Sequence, residues 1–133
     1  MRYIKKYNEG KNNKPNFKRI IDGDFVIFQG KDAESNDYVT LELASDNDLW
    51  FHAKGVPGSH VIIKVKDNIP GDDIIQKAAL IAAKNSKSKE DKVKVIYCKK
   101  KFVTKDPGMN AGQVKVDHLN ANVIIVNKNK IGS

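Results

Sequence analysis

Apolar and polar residues alternate most sharply between positions 48 and 65, Asp-Leu-Trp-Phe-His-Ala-Lys-Gly-Val-Pro-Gly-Ser-His-Val-Ile-Ile-Lys-Val. Two apolar segments, Leu49 to Ala53 and Val61 to Val65, flank a loop. There Gly55, Pro57 and Gly58 supply the backbone freedom and fixed φ of a tight reversal. The pattern predicts two strands with a shaped loop between them. Side chains alternate on an extended strand, so Trp50, His52 and Lys54 share one face while Leu49, Phe51 and Ala53 share the other.

The rest of the chain builds around that pair. Between Phe17 and Gln29, two short apolar runs bracket Asp22-Gly23-Asp24, a hairpin signal. Ser35, Asn36 and Asp37 are capping residues, and Tyr38, Leu41 and Ala44 follow at helical spacing. This predicts a short helix near residues 36–44, although Tyr-Val-Thr also suits a strand. Pro70-Gly71-Asp72-Asp73 opens a main helix near residues 72–86, with Asp72 as N-cap and Asp73 favourable to the dipole. Its broad apolar face, Ile74, Ile75, Ala78, Ala79, Ile81 and Ala82, is suited by its small alanines to close packing on a sheet.

Val93 to Cys98 predicts a further strand. After the turn residues Asp106-Pro107-Gly108 and Asn110-Ala-Gly112, two more are predicted near 113–116 and 122–126. The sum is a single α+β domain, a mostly antiparallel sheet covered on one face by the main helix. No longer period recurs, which excludes a solenoid or propeller. Residues 1–15, rich in Lys and Asn without a hydrophobic period, predict a flexible basic arm. Residues 16–127 are the folded domain, and 128–133 a polar tail.

Charge changes this picture more than composition does. The 133 residues are 40% hydrophobic and 30% charged, with a formal net charge of +8. The charge is segregated: seven basic residues against one acidic in 1–20, one against eight in 21–53, and nine against two in 84–105. A two-sided surface with basic blocks suits a polyanionic partner, because each lysine near a phosphate releases a counterion.

Other chemistry is thin. The single cysteine, Cys98, excludes an internal disulfide and a zinc site built on several cysteines. His52 and His60 have no third ligand spaced near them, and His118 is distant, so no metal is expected. Cofactor boxes are absent, and no cofactor or small-molecule substrate is expected. No apolar run is long enough for a membrane span, and the polar opening Met1-Arg-Tyr-Ile-Lys-Lys-Tyr carries no export signal, which makes a cytoplasmic protein the expectation. Gly58-Ser59-His60 lacks the spacing of a nucleophile elbow, and neighbouring strand residues point apart. Asp48 and His52 are the one acid–base pair worth testing for an enzyme acting on RNA. The reading is non-catalytic.

The candidate RNA-binding residues are Trp50, His52, Lys54, His60 and Lys64 in the central stretch, with Lys99, Lys100, Lys101 and Lys105 after the last long strand. If Lys99 to Lys101 lie beside the Trp50-His52-Lys54 row, rings and ammonium groups interleave as on surfaces that stack bases and follow phosphates. Trp50 is equally suited to the core. Each imidazole suits a hydrogen bond within the Gly-Pro-Gly loop or a phosphate contact.

The string from Asp48 to Ile63 resembles the NFACT-R domain, the RNA-binding module of the NFACT family. The likeness continues through Gly30-Lys31, Asn36-Asp37-Tyr38, the Ala78-Ala79 helix ending in Ser86-Lys87-Ser88, and the Lys-rich segment before Gly112-Gln-Val. It covers residues 16–127. It implies a domain that contacts structured RNA, rRNA of the large ribosomal subunit or tRNA, as an accessory to ribosome quality control, translation or tRNA modification. The family's longer members add an N-terminal NFACT domain and a coiled coil, so this chain is expected to be a stand-alone module. The competing expectation is a protein-interaction module docking on a ribosomal protein or regulator.

Overall fold

In the computed structural model, which describes residues 15–129, six strands form one antiparallel sheet. They are β1 (Phe17–Asp22), β2 (Phe25–Gly30), β3 (Leu49–Ala53), β4 (Val61–Ile63), β5 (Lys92–Lys99) and β8 (Asn122–Asn127), in the order β1-β2-β4-β3-β5-β8. Between β5 and β8 a two-stranded ribbon pairs β6 (Val103–Thr104) with β7 (Lys115–Val116). Except for Pro15 the expected basic arm lies outside the described residues, as does most of the expected tail.

The alternation read from the sequence sets the two faces. Phe51 and Ala53 join Val61, Ile63 and Val95 beneath the main helix α2 (Asp72–Lys84), whose Ala78, Ala79, Ala82 and Ala83 are fully buried or nearly so. Alanines let the helix axis approach the sheet closely, and the 11° stack of Phe51 on Tyr97, centroids 5.2 Å apart, lies within the same layer. The helix N-cap is Gly71 rather than the expected Asp72, which becomes the first helical residue beside Asp73, where both carboxylates favour the dipole.

The opposite face is covered too, which the pattern did not foretell. Trp50, Ile62, Ile96 and Cys98 pack there against Val39, Ala44 and Val103, with Phe17 and Phe28 at the margin. The cover is helical from Ala33, three residues earlier than the sequence suggested. Asp32 is the N-cap: its carboxylate accepts from the Ser35 amide at 2.8 Å, and Ser35 Oγ accepts from the Asp32 amide at 3.0 Å. The segment α1 (Ala33–Asp37) continues as a π-helical turn (Tyr38–Leu43), closed by the Ala44 amide donating to the Val39 carbonyl at 3.0 Å. No helix among the described residues is long and apolar enough to cross a membrane.

Candidate nucleic-acid interface

The Lys54–His60 loop joins β3 to β4 at one end of the sheet, and three other segments gather around it. Gly55 turns the chain at φ +78°, a conformation that a side chain disfavours. The stretch after α2 then pairs with the loop: the Ser59 amide donates to the Asn85 carbonyl at 3.1 Å, and the Lys87 amide to the Pro57 carbonyl at 2.8 Å. Between those bonds Gly58 lies so close to Ser86 that a Cβ would meet the Ser86 Cα at 2.8 Å. From α1, the buried Asn36 amide donates to the Gly58 carbonyl at 3.1 Å and accepts from the His60 amide at 2.9 Å. One side chain thus braces the loop on both sides of Ser59.

A fourth wall is tied on by Lys105. Its ammonium pairs with the buried Asp37 carboxylate at 3.2 Å and donates to the carbonyls of Asn110 and Gln113 at 2.6 and 2.8 Å. The 105–113 loop is thereby held against α1, and Gly112 passes close to Ala33. Between these walls opens a cleft of about 920 Å³. Trp50, His52 and His60 line its base, while Lys31, Lys54 and Lys87 are exposed around it. Among the described residues none of these three lysines is in an ion pair.

The three rings form one cluster. Trp50 and His52 stack at 5.8 Å between centroids and 18° between planes, and His60 meets both edge-on at 5.2 Å. The indole Nε1–H donates to Thr40 Oγ1 at 3.2 Å, and Thr40 Oγ1 lies 2.9 Å from His60 Nδ1. The Thr40 hydroxyl can donate and also accept twice, so it serves the indole and the imidazole together, the direction of its bond to Nδ1 following the tautomer of His60. Burial pushes the His60 pKa down from 6.5 to about 3, helped by the neighbouring His52 and by the Lys105 charge; backbone hydrogen bonds at Gly112 and Asn36 oppose this. Burial lowers His52 as well, against a hydrogen bond to the Gly58 carbonyl. The base of the cleft is therefore aromatic and uncharged at neutral pH, and the positive charge stands around it.

The sequence-nominated residues divide sharply. His52 lies on the cleft face of β3, and Lys54 lines the cleft from the first position of the loop. Trp50 is 1% exposed and His60 2%, so both support the cleft from beneath and neither offers a face to a base. Lys64 is spent on a buried carboxylate, 2.6 Å from Asp48, and also donates to the Leu43 carbonyl at 3.0 Å. Lys105 is held internally as described.

Lys99, Lys100 and Lys101 do not join the row. Lys99 stands opposite Leu49, at the far end of β3, and the amides of Lys100 and Lys101 bond to the Asp48 and Asp46 carbonyls. At about 3.4 Å per residue this is roughly 17 Å from Lys54. Asp48 and His52 do not converge either: the Asp48 carboxylate accepts from the Ser45 and Val65 amides, both at 2.7 Å, below the start of β3. Lys31 and Lys87 were missed, although both sit in strings, Gly30-Lys31 and Ser86-Lys87-Ser88, that carried the family resemblance. No group of three or more His, Cys, Asp or Glu among the described residues is placed to hold a metal ion.

Comparison with known proteins agrees with that resemblance. Residues 16–118 match the family model of the NFACT protein RNA binding domain. The chain is similar to the Rqc2 homolog RqcH of Bacillus subtilis, 40% identical over 93 residues, covering 69% of this chain and 16% of that protein. It is also similar to the RqcH of Streptococcus suis, 39% identical over 106 residues, covering 78% and 19%. Among solved structures it superposes on the C-terminal part of the fibronectin/fibrinogen-binding protein of Streptococcus suis with a TM-score of 0.75 and 35% identity, over 88% of this chain and 46% of that one. The chain thus spans less than a fifth of the length of these two RqcH relatives.

Proposed function

The chain belongs to the NFACT RNA-binding domain family, and from that premise we propose that it docks on structured RNA, rRNA of the large ribosomal subunit or tRNA, through the cleft end of its sheet. The observation that carries this reading is the convergence of Lys31, Lys54 and Lys87 from three separate segments around one opening, none of them in an ion pair among the described residues. Ammonium groups left free in this way suit a phosphate backbone, whereas Lys64 and Lys105 have already been taken by buried carboxylates. The setting is ribosome quality control, in which the domain supplies RNA affinity and no chemistry of its own.

A second reading has one observation in its favour. Leu119, Val123 and Ile125 are 96%, 49% and 60% exposed on and beside the edge strand β8, a surface suited to docking a protein. Retention of tRNA and rRNA fragments at low salt separates the two. RNA docking gives binding that weakens steeply with salt and is weaker in Lys54→Ala, Lys87→Ala. Failure to retain either RNA, with continued co-sedimentation with ribosomes, favours the protein contact.

A further inference from the structure

We infer that the cleft accepts one unpaired nucleotide of an RNA strand, its base inside and its phosphates on the surrounding lysines. This rests on the RNA-docking reading and adds to it a single-strand preference. Charge and aromatic surface are separated at this end of the sheet. A phosphate drawn into the cleft would meet His52, uncharged at neutral pH, over the buried Trp50 and His60, while the Lys105 ammonium near His60 is already held by Asp37 and two carbonyls.

A nucleobase is neutral and flat, and it matches what lines the interior. The apolar walls are Val114 and Val116 with the buried Ile96 behind them, and the polar side chains beside them are Gln29 and Ser59, 3.4 Å apart. Its phosphates would remain outside, where Lys31, Lys54 and Lys87 stand exposed. The cleft volume of about 920 Å³ lies in the range of pockets that enclose a small organic ligand. A duplex keeps its bases stacked and paired, so only a splayed or looped-out nucleotide can enter.

His52 is the ring that meets the base. It is half-buried, and the larger Trp50 behind it is stacked in near-parallel alignment, so the two form a supported aromatic surface with only the imidazole reaching the cleft. Trp50 is the only tryptophan of the chain. Its emission therefore reports occupancy of the cleft without any label.

The test compares a short mixed-sequence RNA strand with the blunt duplex it forms with its complement, both titrated at one salt concentration while Trp50 emission is followed. The single strand is expected to bind about tenfold more tightly, the size of one base–aromatic stack, and to change the emission. His52→Ala should erase that difference and His52→Phe, which keeps a ring, should retain it. The four free nucleoside monophosphates should bind far more weakly than the strand.

Equal affinity for strand and duplex with unchanged emission overturns the nucleotide site and leaves the RNA-docking reading standing. Binding of free monophosphates as tight as that of the strand overturns it in favour of a free-nucleotide site. Retention of neither RNA form at low salt overturns both readings.

Discussion

His60 Nδ1 lies 2.9 Å from Thr40 Oγ1, inside a group that also holds the Trp50 indole, and burial in that group favours the neutral imidazole. The consequence is a stability that depends on pH. An unfolded histidine takes its proton near 6.5, but folded His60 takes it only near 3, because burial disfavours the cation. Between those values the unfolded chain binds more protons, so stability rises with pH and is lost as pH falls from 6.5 toward 3. From pH 7 to pH 5 the loss from His60 is about 2 kcal/mol, and His52, shifted the same way, adds to it. Urea unfolding at the two pH values measures this, and an equal unfolding free energy at both would refute the buried neutral ring.

Asp48 organises the other end of β3. Its buried carboxylate accepts two backbone amides, from Ser45 and Val65, and pairs with Lys64. Asp48→Ala strands both amides and the lysine, so a loss of about 3 kcal/mol is expected. Because this end is remote from the cleft, RNA affinity of the folded fraction should stay unchanged. Denaturant unfolding together with RNA titration checks both halves of the statement.

Lys105 and Lys54 are both lysines, yet their substitutions should read out differently. Lys105→Met leaves the Asp37 carboxylate, 1% exposed, without its cation and releases the 105–113 wall, costing about 3 kcal/mol of stability. It should lower RNA affinity while leaving the slope of log affinity against log salt unchanged. Lys54→Ala and Lys87→Ala should each reduce that slope by about 1 with little effect on stability. Salt titrations of the three variants, alongside their unfolding curves, distinguish a positioning lysine from a phosphate contact.

Local pattern carried much of the fold. The β3 face alternation, the Asp22-Gly23-Asp24 hairpin and the alanine face of α2 all follow from spacing within a few residues, and the structure has them where spacing put them. The site was less legible because its determinants are long-range. Lys64 and Lys105 look like free surface charge until folding brings Asp48 and Asp37 against them from 16 and 68 residues away. Lys99 to Lys101 fell at the wrong end because antiparallel pairing of β3 with β5 sets Val95, not Lys99, opposite Ala53. Trp50 is buried because segments 33–43 and 100–121 cover a face that the pattern left open. Lys31 and Lys87 belong to short strings with no apolar period of their own, and only the loop pairing brings Lys87 to the cleft.

The most direct measurement is a backbone amide chemical-shift map of the domain titrated with an RNA hairpin. Docking at the cleft end predicts shifts confined to residues 31–36, 52–60, 85–88 and 109–118, with 46–48 and 99–102 unmoved. Shifts centred on 99–102 with the 52–60 loop silent would contradict it, and would move the RNA to the opposite end of the sheet.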